Sequence, residues 1–123
     1  MIEYSDPRVW AKRVLSEDSR LDDVPIVGTV PERFTGDLVW VALDGGPQMW
    51  LRENVFLRVN VFADMPDRAM SMARRVEAVL YDNVDGDPVV SFRRSTGPNL
   101  DVDGDHFMVY SLFDLICRPY VVD

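Results

Sequence analysis

The chain has 123 residues, of which 47% are hydrophobic and 11% aromatic; this supplies one domain with its own core and excludes a disordered acidic tail. A formal net charge of −8, from 21 acids against 13 bases, lacks the basic footprint that tight nucleic-acid binding requires. Cys117 is the only cysteine, so no intrachain disulfide can form.

The opening residues Met1 to Asp6 carry no basic stretch followed by an apolar run, so no signal peptide is expected. No stretch reaches the length of a membrane-spanning helix either. Asp6-Pro7 is a helix start, because Asp caps free N–H groups and proline suits the first helical position. Trp10, Ala11, Val14 and Leu15 recur at helical spacing and predict a helix to about Asp18. Val24 to Val30 contains Pro25 and Gly28 and predicts an edge strand or an extended loop. Leu38 to Leu43 is a strand, ended by the turn residues Asp44 to Pro47.

Glu53 to Asp64 shows the clearest period of two. Val55, Leu57, Val59, Val61 and Ala63 share one face, and Phe56, Arg58, Asn60 and Phe62 share the other. This segment should pair with Leu38–Leu43 as an antiparallel hairpin. A helix from Asp67 to Asp82 follows, with its stripe made by Ala69, Met72, Ala73, Val76, Val79 and Leu80. Val89 to Arg94 reads as a short strand, Ser95 to Asp105 as a loop, and His106 to Pro119 as the last strand. Both faces of that last strand are apolar, which suits a central strand or one that ends in an interface.

These elements predict a single domain over residues 1–123 of the α+β class: a mainly antiparallel mixed sheet with two helices packed on one face. Two helices cover one face only. Phe56, Phe62 and half of the last strand remain for the other, and apolar patches of that kind mark contact sites. Self-association is therefore expected. Met49, Trp50 and Leu51 fall on a connection between strands, either as interface anchors or as a loop folded back over the core. Together with Phe56, Phe62 and Leu100 they are the candidate interface residues.

No catalytic set emerges. His106 is the only histidine, and no nucleophile stands at a recognisable spacing from it, so it reads as an exposed histidine at a loop edge. Asp101-Val-Asp103-Gly-Asp105 imitates the start of a calcium loop, but its glycine comes too early and a strand follows instead of a helix. That segment and Asp82, Asp85 and Asp87 read as solvated turns. Gly45-Gly46-Pro47 lacks the spacing of a phosphate-binding loop. No cofactor and no metal are expected.

In its order of elements the chain resembles the tail terminator proteins of long-tailed bacteriophages, in the form found in actinobacterial phages. The resemblance rests on the N-terminal helix with Trp10 and Val14 and on the proline-bearing approach from Pro25 to Pro31. It rests equally on the strand from Asn54 to Ala63, the helix Ala69 to Leu80 that follows it, and the closing strand Phe107 to Ile116. It spans nearly the whole chain as a pattern, not as an invariant motif. It implies a non-enzymatic α/β subunit that forms a hexameric ring on the last ring of the tail tube, ends tube polymerisation and meets the neck. The implied partners are further copies of the chain, the major tail tube protein and a neck or head-completion protein. DNA would pass the lumen without specific binding, and no membrane is involved. The implied location is the tail–neck junction of a virion assembled in the host cytoplasm, with loops Gly45–Arg52 and Ser95–Asp105 as axial contacts. Three alternatives stay open: another phage neck or head-completion protein, a small ferredoxin-like enzyme or ligand-binding domain, and a bacterial binding module.

Overall fold

The computed structural model describes residues 2–4, 6–44, 48–49 and 52–121. In chain order these form β1 (Ile2–Tyr4), α1 (Pro7–Glu17), a single 3-10 turn (Ser19–Leu21), β2 (Ile26–Val27), β3 (Leu38–Leu43) and β4 (Gln48–Met49). They continue with β5 (Arg52–Ala63), α2 (Pro66–Asp82), β6 (Val89–Asp103), β7 (His106–Cys117) and β8 (Pro119–Val121).

Helix α1 starts where its sequence says it should. The Asp6 carboxylate accepts a hydrogen bond from the Arg8 backbone N–H at 2.9 Å, and Pro7 occupies the first turn. Asp18 ends the helix and caps the 3-10 turn in the same way, through the Arg20 N–H. Helix α2 has no side-chain cap at Met65; Pro66 and Asp67 serve its first turn instead. At its other end the Asn83 side-chain amide donates to the Val79 carbonyl at 2.7 Å.

The main sheet runs β2-β3-β5-β7-β6, with β4 paired to β5 beside this path. Among the described strands only the β2–β3 pair is parallel, and Pro25 stands just outside it, where its carbonyl accepts from the Val39 N–H. Strand β3 pairs antiparallel with β5 from Leu38↔Phe62 to Leu43↔Leu57. Strand β5 pairs antiparallel with β7 from Glu53↔Cys117 to Ala63↔Phe107. Both helices pack on one face. The core between them and the sheet joins Trp10, Leu15, Leu57, Val59, Val76 and Leu80 to Val109, Phe113 and Leu115. The α+β architecture expected from the element pattern is the one observed.

Three expectations need correction. The segment Ser95–Asp105 is not a loop. It continues β6 as far as Asp103, and only Gly104 and Asp105 turn the chain into β7. Register shifts after Val89, Arg94 and Thr96 let this polar run stay in the ladder. Gly97 is required there: its φ is +96°, and a Cβ would stand 2.6 Å from the Tyr110 carbonyl oxygen. Second, the last strand stops at Cys117, where the Arg118 N–H turns to the Pro88 carbonyl. The chain then re-enters as β8, which pairs with β1 in a separate two-stranded ribbon that the periodicity did not announce. Third, His106 is not an exposed loop residue. It opens β7 half-buried, with its ring stacked on Phe34 at 4.2 Å between centroids.

Candidate functional site: the bare face of the sheet

The period of two in β5 sends Val55, Leu57, Val59 and Val61 towards the helices. It sends Asn54, Phe56, Arg58, Asn60 and Phe62 the other way. Register then assembles a second surface. Trp40 and Ala42 of β3 lie beside Asn60 and Arg58. On the other side of β5, Met108, Tyr110, Leu112, Asp114 and Ile116 of β7 stand opposite Phe62, Asn60, Arg58, Phe56 and Asn54. Among the described residues no helix lies over this face, and every one of these β7 residues is half-buried.

The loop between β2 and β3 closes one end of the face. Phe34 meets Phe62 edge-on at 5.3 Å and stacks on His106. Phe62 is thereby only 1% exposed. Its apolar surface is already covered within the subunit, so the expectation that it is an uncovered contact residue does not hold. Phe56 remains half-buried on this face.

Beyond Phe62 the face opens into a groove of about 740 Å³ bordered by Trp40, Ala42, Asp44, Arg58, Asn60 and Met108, with Asp101 and Val102 of β6 at its far side. The Arg58 guanidinium lies 4.7 Å over the Tyr110 ring, donates from Nε to Asn60 Oδ1 at 3.2 Å and reaches Asp44 at 3.8 Å. Asn60 itself is 1% exposed.

The polar chemistry of this face is unfinished. Among the described residues, three buried side-chain atoms have no hydrogen-bond partner: Asn54 Oδ1, Asn60 Nδ2 and Asp114 Oδ1. All three belong to the bare face. An unmatched buried donor or acceptor costs about 1–3 kcal/mol unless water or another group meets it.

The helix side presents a different surface. A cleft of about 570 Å³ runs between α2 and β6, bordered by Arg74, Ala78, Tyr81 and Phe92 and closed by the Arg94–Glu77 pair at 2.6 and 2.8 Å. Tyr81 is 66% exposed. Arg74 makes no ion pair or hydrogen bond among the described residues.

Of the other candidate interface residues, Leu100 is 49% exposed near the end of β6, paired with Val109. Met49 lies on β4, and Trp50 and Leu51 fall outside the described residues. Sequence reasoning placed Arg58 and Asn60 on the correct face but gave them no role, and it missed Trp40, Ala42 and Tyr110. The available signal was a polar Asn in the middle of an otherwise buried strand. Cys117 is fully buried on the helix side, and the His106 ring faces Phe34. Among the described residues, no three His, Cys, Asp or Glu side chains gather as a metal site would require.

No family model matches the chain, and no curated protein is significantly similar to it.

Proposed function

We propose that this chain is a structural subunit that closes into a ring with copies of itself, and that the ring caps the tail tube of a long-tailed bacteriophage where the tail meets the neck. The single observation that carries the self-association is the bare sheet face, with its half-buried apolar side chains and three unmatched polar atoms. The assignment to a tail rests on the resemblance of element order. The α+β fold supports that resemblance in that it has the small two-layer form which the tail terminator pattern implies.

A head-to-tail contact that closes makes a ring, and one that does not makes a filament. A cap on a tube needs the closed form, so that nothing can add beyond it. The charge of −8 suits a lumen through which DNA slides, because an acidic wall does not hold phosphate. The partners in this reading are the major tail tube protein on one side and a neck protein on the other.

Light scattering over a concentration series, with negative-stain microscopy, tests the reading. Rings with a central hole are the expected result. A chain that stays monomeric at high micromolar concentration would remove it. Rings that bind the neck but leave tail length unchanged in an assembly system would move the subunit to a neighbouring neck position.

A further inference from the structure

We propose that the occupant of the bare-face groove is helix α2 of a second copy, docked by Arg74, Ala78 and Tyr81. The inference rests on the ring reading above and gives it a specific contact.

The reason lies in how the two surfaces match. Arg74, Ala78 and Tyr81 are spaced i, i+4 and i+7, so they form one exposed line on α2, opposite its buried stripe. That spacing is how an amphipathic helix seats in a groove. Tyr and Arg are the residue types that most often anchor interfaces, and Ala78 between them allows close approach to a flat sheet. Tyr81 is among the most exposed large side chains of the described residues, and Arg74 is an arginine without a partner there.

The groove offers the complementary set. Its floor of Trp40, Ala42 and Met108 takes a ring. At its rim Asp101 has no ion pair among the described residues, and Asp44 has only the long contact to Arg58 at 3.8 Å. These carboxylates suit the Arg74 guanidinium. Asn60 Nδ2 needs an acceptor, and a tyrosine hydroxyl both donates and accepts. Arg58 lies against Asn60 and has to swing towards Asp44 for the hydroxyl to arrive. With α2 seated, the sheet lies between its own helices and a neighbour's, and the layer missing from one subunit is supplied by the next.

Groove and docking helix lie on opposite faces of the sheet, so the contact is head-to-tail. This sets it apart from a two-fold contact of bare face on bare face, and mixing variants separates the two. Ala42→Arg blocks the groove, with exposed Asp101→Arg as a second groove variant should the first fail to fold; Tyr81→Asp disables the helix. Circular dichroism checks each fold, and sedimentation velocity reads assembly. Each variant alone should associate at least roughly tenfold more weakly than the wild type. An equal mixture of a groove variant and Tyr81→Asp should recover heterodimers, since one intact groove and one intact helix remain. If Tyr81→Asp assembles like the wild type, or the mixture recovers nothing, α2 docking is overturned while the ring reading stands. A wild-type chain that is monomeric overturns both.

Discussion

Along β5 the odd-numbered residues Val55, Leu57, Val59 and Val61 are buried on the helix side, while the even-numbered Asn54, Phe56 and Arg58 face a surface that no helix of the described residues covers. The two surfaces share one backbone and one hydrogen-bond ladder. They differ in what lies beyond the side chains. On the helix side a continuous apolar cluster excludes water, and Ser111 is the one buried polar side chain among the described residues of that face. On the bare side apolar and polar groups alternate, and the polar ones are only partly matched. A finished core holds few polar groups, because a buried polar group without a partner is penalised. The difference separates a face that is complete within the subunit from one whose polar groups are only partly matched there, which is the face the ring reading proposes to fill with a second copy.

Substitutions can break this comparison, beginning with the largest effect. Leu57→Ala on the helix side should cost about 2–5 kcal/mol in chemical denaturation, the range for a fully buried leucine. A loss below about 1 kcal/mol would mean the faces are assigned the wrong way round. Gly97→Ala comes next, because its Cβ meets the Tyr110 carbonyl at a positive φ. A destabilisation of about 1–3 kcal/mol is expected, and wild-type stability would show that β6 does not hold this register.

Asn60→Val should behave unlike Leu57→Ala although it sits three residues away on the same strand. Removing the unmatched amide should leave the dilute, unassembled chain within about 1 kcal/mol of wild type or more stable. A clear loss in urea titration would show that Asn60 is fully satisfied within the subunit. Leu100→Ser, at an exposed edge position, should change stability by less than about 0.5 kcal/mol. A larger loss would show that Leu100 belongs to the core.

The smallest effect is electrostatic and tests the helix side alone. The Arg20 guanidinium holds the Asp18 carboxyl down at about 2, below its ordinary 3.8. A depressed carboxylate contributes stability above its unfolded value, and loses that contribution as pH falls through its folded value. The thermal midpoint should therefore drop slightly between about pH 4 and pH 2, and Asp18→Asn should lack that part of the drop. An identical acid profile in the variant would show that the pair contributes nothing.

Much of the architecture was legible in local pattern. The start of α1 at Asp6-Pro7, the stripe of α2 and the two-faced alternation of β5 each depend on residues within a few positions of one another. The bare face was legible too, as Phe56 and alternate residues of β7 without helices to cover them. Other features depended on partners distant in the chain. Ser95–Asp103 is polar, and by side-chain character it is a loop. It is a strand because β7 offers a row of backbone groups, and a ladder bonds to backbone whatever the side chains are. The β1–β8 ribbon joins the two ends of the described chain, which no local window can see. Phe62 looked like a contact residue until the fold brought Phe34 and His106 over it. Sequence alone thus determined the two helices and the strands with a clear alternation, and which face of each is apolar, since period is a local property. Only the tertiary structure decided that Phe62 is covered while Phe56 stays half-buried, and which polar groups lack a partner within the subunit, because cover and hydrogen-bond partners come from residues far away along the chain.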